Sequence, residues 1–136
     1  MKLFLACSKY FYNRIPEIKK ELESYGHIIS LPNSYDVPMM EEQTKKEGQK
    51  AHAEWKGKML KKCEENIAPT DAVVVLNFEK NGQVNYIGGA TFLEMHIAFL
   101  MNKKIFLYDP IPDNMFRDEL EGFDPIVING NLRLIK

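Results

Sequence analysis

The stretch Asp71-Ala72-Val73-Val74-Val75-Leu76-Asn77 decides the fold. Its centre, Val73-Val74-Val75-Leu76, is β-branched and apolar without a break. A strand with one wet face alternates apolar and polar residues. This one needs cover on both faces, as in a parallel sheet with helices above and below. Three more short apolar runs lie at 3–7, 105–108 and 126–128, and a weaker fifth at 27–31.

Helical patterns fill the gaps. Pro16 suits the first turn of a helix, Ile18, Leu22 and Tyr25 then share one stripe, and Gly26 ends it. Residues 41–67 are long and polar. They carry Glu41/Lys45, Glu42/Lys46 and Glu54/Lys58 at i,i+4 spacing, and a narrow stripe of Trp55, Met59, Cys63 and Ile67. The part before Ala51 has almost nothing to bury, so it reads as loop or a mobile stretch. Residues 91–102, after Gly88-Gly89, form a largely apolar and therefore buried helix, and 117–122 a short helix or turn. Alternating strands and helices predict an α/β three-layer sandwich, flavodoxin-like or Rossmann-like, with a five-stranded parallel sheet in the order 2-1-3-4-5.

With 136 residues the chain is expected to form a single domain over 1–136, given about 150 residues per domain. Hydrophobic residues are 45% and charged residues 27%, the profile of a globular chain. A net charge of -1 gives no excess of cations to hold a nucleic-acid backbone. No apolar run reaches the length of a membrane span. Cys7 and Cys63 suggest neither a disulfide framework nor a zinc site. Leu5-Ala6-Cys7 looks like the end of a lipoprotein signal, but too few apolar residues precede it, so a first strand and a cytoplasmic chain are expected.

In a 2-1-3-4-5 sheet, ligands bind beyond the carboxyl ends of the first and third strands, where the chain direction switches. The loops 8–13 and 77–89 meet there. Candidate substrate contacts are Ser8 and Tyr10 from the first, Asn77, Asn85, Tyr86, Gly88 and Gly89 from the second, and Thr91 at the helix start beyond it. The Gly-Gly pair lets backbone approach a ligand, and the helix start beyond it offers free N–H groups to an anion. No Walker loop and no G-x-G-x-x-G fingerprint is present, so neither signature explains the loop. A flavin would need a Ser/Thr/Gly-rich cradle that the first loop lacks.

Glu94 is the candidate catalytic residue. Read in the first turn of its helix, it is favoured in its ionised form by the helix dipole. A carboxylate there can attack an anomeric carbon or stabilise the cation developing on a sugar ring. A second reading is structural: Thr91-x-x-Glu94 has the spacing of a capping box. His96 is assigned to packing or an interface, and Cys7, in the absence of a partner base, to packing. His27 and His52 have no partner at useful spacing, and Asp36 reads as a loop aspartate.

The run Gly88-Gly89-Ala90-Thr91-Phe92-Leu93-Glu94-Met95-His96-Ile97-Ala98, followed by Asn102-Lys103-Lys104-Ile105-Phe106, resembles the nucleoside 2-deoxyribosyltransferase superfamily, which includes nucleotide N-glycosidases. That signature is roughly D-x-G-T-x-x-E, an apolar helix with a recurrent Ala, then a Gly-Lys turn and a strand. Thr91, Glu94 and Ala98 match, and the first and third strands look alike, so the likeness covers about half the chain. It implies cleavage or transfer at the N-glycosidic bond of a nucleoside or nucleotide, with Glu94 forming a covalent glycosyl intermediate. It further implies no metal or organic cofactor, Cys7 and Ser8 beside the sugar or phosphate, and a homo-oligomer. Two positions depart. The family's acid six residues before the glutamate is Gly88 here, and a tyrosine of the first strand is Phe4, for which Tyr10, Tyr12 or Tyr86 are spatial alternatives. The rival expectation is a nucleotide-binding module without catalysis.

Overall fold

The computed structural model describes residues Met1–Lys136. The strands are β1 (Lys2–Ala6), β2 (Ile28–Ser30), β3 (Ala72–Val75), β4 (Lys104–Leu107) and β5 (Ile126–Val127). All neighbours pair in parallel, in the order β2-β1-β3-β4-β5. The helices are α1 (Ile15–Ser24), α2 (Met40–Glu47), α3 (Gln49–Ile67), α4 (Gly89–Leu100) and α5 (Arg117–Gly122), with a 3-10 helix over Lys9–Arg14 and another over Leu132–Leu134. This is the expected three-layer α/β sandwich.

The pleat explains the layers. Leu3, Leu5, Val74, Leu76 and Phe106 point to one face, where they pack with Ile15, Ile18 and Leu22 of α1. Phe4, Ala6, Val73, Val75, Ile105 and Leu107 point to the other and meet Ile67 of α3, Met95 and Ala98 of α4 and Leu120 of α5. Both faces of β3 are sealed, which is why its sequence does not alternate. Truncating Phe4 or Phe106, each fully buried, to Ala costs about 3–5 kcal/mol. Register at the lower edge is fixed by Asp71, whose carboxylate accepts the Lys2 N–H at 2.7 Å while its own N–H donates to the Lys2 carbonyl at 2.7 Å.

Helix ends follow their caps. Gly26 adopts φ +90°, and the Gly26 and His27 N–H groups donate to Glu23 and Leu22, the paired bonds of a Schellman turn. Asn102, at φ +57°, does the same for α4.

Several expectations need correction. Tyr25 is partly exposed, and Ile15 takes its place in the buried stripe of α1. Residues 41–67 form two helices broken at Gly48, whose φ of +129° stops α2. The part before Ala51 is thus helical. It is held by charge: Lys9 bridges Glu41 at 3.3 Å and also Glu42, and Lys45 reaches Glu41 at 3.7 Å. Glu42 therefore pairs across the fold with Lys9, not along its helix with Lys46. The apolar helix α4 is only half buried. As an outer-layer element it has one face on the sheet, and Leu93, Phe99 and Leu100 remain exposed on the other. No helix is long and apolar enough to cross a membrane.

Candidate active site

The chain leaves β1 toward α1 on one face of the sheet and leaves β3 toward α4 on the other. The gap opened by that divergence contains two adjoining hollows. The outer is a cleft of about 380 Å³ walled by Cys7, Ser8, Tyr12, Tyr86, Gly88–Thr91 and several α2 and α3 side chains. The inner is a recess of about 60 Å³ in which Glu94 meets Cys7, Tyr12, Asn33, Ser34, Lys56 and Cys63. Both share Cys7, Tyr12, Lys56 and Ala90 as walls. The cleft alone has the volume of a small-molecule site.

Glu94 is 6% exposed and lies one turn deeper than the sequence suggested. α4 begins at Gly89, so Glu94 is its sixth residue, beyond the helix end where the dipole acts. Burial pushes its carboxyl up to about 8, against an opposing pull from Lys56. The expected preference for the charged form is therefore reversed in the unliganded protein: desolvation outweighs everything that would ionise it. The capping box is not formed either. Gly88 is the cap residue of α4, no side chain caps it, and Thr91 is the third residue inside the helix. Glu94 has no hydrogen-bond partner contributing to its ionisation, so its carboxylate is not consumed by its own backbone.

The neighbours are weakly ionisable. Burial, then the Glu94 charge, pushes the Cys7 thiol up to about 12, which makes it a packed residue and no nucleophile. Burial raises the Cys63 thiol to about 11 for the same two reasons, only partly offset by its Asn33 hydrogen bond. Tyr12 is raised to about 12 by burial, with its hydroxyl 3.0 Å from Ser34 Oγ, and it also feels Glu94. Of the three tyrosines that sequence offered as replacements for Phe4, Tyr12 is the one on the recess wall with Glu94. Phe4 is core.

Thus Cys7, Ser8, Tyr86, Gly88, Gly89 and Thr91 gather at the cleft, and Glu94 at the recess beside it. Asn77 does not. It is fully buried, its amide donates to the Asp109 and Pro110 carbonyls at 2.9 and 3.1 Å, and its oxygen accepts the Asp109 N–H at 2.8 Å. It clamps the β3 exit to the β4 exit. Asn85 supplies a left-handed turn residue at φ +56° and lines neither hollow. Tyr10 is 54% exposed and flanks a separate surface groove. Ser8 has a structural task as well, since its oxygen caps the first 3-10 helix by accepting from Tyr10 N–H at 3.3 Å.

Sequence reading missed Lys56, Asn33 and Ser34. Lys56 looked like one more cation on a solvated helix, and only the packing of α3 on α4 turns it inward. No three His, Cys, Asp or Glu side chains converge as a metal-binding group. Comparison with protein-family models, with curated proteins and with solved structures found no match.

Proposed function

We propose that this protein cleaves or transfers at the N-glycosidic bond of a nucleoside or nucleotide, with Glu94 as the carboxylate that meets the anomeric carbon. The observation that carries this reading is a buried glutamate, free of hydrogen-bonding partners, on the wall of a recess at the switch point of the sheet. The resemblance of residues 88–98 to the nucleoside 2-deoxyribosyltransferase superfamily supports it.

In the proposed reaction an ionised Glu94 oxygen forms a bond to the anomeric carbon as the carbon–nitrogen bond breaks. The bonding pair leaves with the base, which takes up a proton. Water, or a second base, then displaces Glu94 from the sugar and restores the carboxylate. Gly88 brings no acid for the leaving group. Tyr12 and Lys56 are among the proton-bearing groups that share the recess with Glu94, beside the Cys7 and Cys63 thiols and the Ser34 hydroxyl. Substrate binding excludes water, and the positive charge growing on the sugar ring favours the carboxylate form that burial alone disfavours. An oligomeric assembly belongs to the same proposal, and the exposed Leu93, Phe99 and Leu100 of α4 are in keeping with it.

The test is base release from a panel of nucleosides and nucleotides by the wild type and by Glu94→Gln. Release by the wild type and its loss in the variant are expected. No release from any member of the panel overturns the reading.

One observation favours the rival reading, binding without turnover: at neutral pH burial keeps Glu94 mostly protonated. A module of that kind is stabilised by nucleotides without releasing base, and stabilised equally with Gln at position 94.

A further inference from the structure

Lys56 of α3 faces two hollows and two carboxylates. It lines both the recess and the cleft. The carboxylate it pairs with, at 3.9 Å, is Glu41 of α2 and not Glu94. Yet Lys56 is the one cation on the recess wall, and its charge is the one that opposes burial at Glu94. The other titratable side chains around Glu94 are Cys7 at the end of β1, Tyr12 of the first 3-10 helix and Cys63 of α3. Burial pushes each of them up to about 11 or 12, so all three are neutral at pH 7.

Little apart from charge holds α2 where it is. Thr44 is its one buried residue, and Met39 and Met40 at its start are exposed. Thr44 Oγ1 lies 3.3 Å from His52 Nδ1 of α3. The remaining anchors are ionic: Lys9 of the 3-10 helix pairs with Glu41 and Glu42, and Lys56 pairs with Glu41. Ion pairs between side chains this exposed are weak, and salt screens them. One is also poorly made, because Glu42 Oε2 is sealed from solvent without a hydrogen-bond partner. That oxygen regains water when α2 moves away. The junction between α2 and α3 is Gly48, at φ +129° with open space around its Cα, which suits a swivel.

We propose that α2 is an autoinhibitory strap: while it lies on the cleft its Glu41 withholds the Lys56 ammonium from Glu94, and when it lifts about Gly48 that cation passes to the recess. The consequence for catalysis rests on the glycosidic reading above; the strap itself does not. Lifting α2 takes Glu41, Glu42 and Lys45 off the cleft wall and opens the way in. The same step favours the charged form of Glu94, the form a nucleophile needs. Linkage makes the effect reciprocal, so an ionised Glu94 competes with Glu41 for Lys56 and loosens α2.

The experiment joins two measurements on the full chain. One is amide hydrogen exchange along α2. The other is the ionisation midpoint of Glu94, read from the carboxyl carbon resonance of glutamate-labelled protein and assigned by its loss in Glu94→Gln. The α2 amides are expected to exchange about tenfold or more faster in high salt than in low salt, and faster in Glu41→Gln at low salt, while α3 amides near Cys63 keep their rates. Glu41→Gln is expected to lower the Glu94 midpoint by about half a pH unit or more, and to leave it unchanged in a Lys56→Met background.

A shift of equal size in both backgrounds overturns the proposal, because Glu41 then acts on Glu94 directly and not through Lys56. Wild-type α2 exchange that is indifferent to salt overturns it too, and that measurement stands even if a variant misfolds. Base release is followed on the same proteins. The α2 and Glu94 responses without base release keep the strap and remove the glycosidic reading. Base release without those responses does the reverse.

Discussion

Lys56 of α3 draws the buried Glu94 carboxyl of α4 toward its charged form, and the same ammonium lies 3.9 Å from Glu41 of α2. One cation thus links the recess to the helix that shelters the cleft. Burial would push Glu41 up, yet Lys56 and Lys9 outweigh it and hold the carboxyl below its ordinary range.

Removing this cation makes Glu94 harder to ionise. In Lys56→Met the pH at which base release switches on moves upward, and kcat/KM at pH 7 falls several-fold. The pH–rate profile measures both. An unchanged profile shows that Lys56 does not act on Glu94.

Glu94 also leaves a mark on stability. Its carboxyl is raised from 4.5 to about 8 by burial, despite Lys56. Between those values the folded protein binds the proton and the unfolded chain does not, so this group's contribution is full below the unfolded value and is lost as pH rises through the folded one. Thermal unfolding from pH 5 to 9 is expected to show a falling midpoint. Glu94→Gln flattens that slope and gains roughly 1–3 kcal/mol at the alkaline end, where the wild type must bury a charge.

The sheet order was readable because β3 carries its evidence locally: a run without alternation has to be covered twice. Glu94 was readable as a candidate because that order places the end of β3 beside the end of β1. What surrounds Glu94 was not readable. Lys56, Asn33 and Ser34 reach the recess only through long-range packing, and nothing in a run of alternating charges says which lysine turns inward. The helical state of Met40–Glu47 was hidden for a similar reason, since its anchor, Lys9, lies more than thirty positions away. Asn77 misled in the opposite sense: a polar residue at a strand exit looks available, but its amide is spent on the Asp109 loop.

That clamp gives a prediction of its own. Asn77→Ala removes three part-buried hydrogen bonds and leaves the Asp109 N–H, the Asp109 carbonyl and the Pro110 carbonyl without that partner, a loss of about 1–3 kcal/mol in urea unfolding. At temperatures where the variant remains folded, its affinity for ligands stays near that of the wild type. A selective loss of binding would return Asn77 to the site.

The two glycines before α4 differ in what they tolerate. A Cβ on Gly88 meets the Tyr86 hydroxyl at 3.3 Å, whereas one on Gly89 meets nothing within 4 Å. Gly88→Ala is expected to shift the Tyr86 ring and weaken ligand binding several-fold. Gly89→Ala is accommodated by the protein itself and raises stability by about 0.5–1 kcal/mol, as Ala for Gly does at a helical position. Titration and thermal unfolding of the pair check both halves.

The most direct measurement is kcat/KM for base release between pH 5 and 9.5, because that ratio reports the ionisation of the free enzyme. A nucleophilic Glu94 requires the rate to climb with pH to a midpoint near 8 and Glu94→Gln to be inactive throughout. A rate that falls across this range, or a Gln variant that still releases base, contradicts the account.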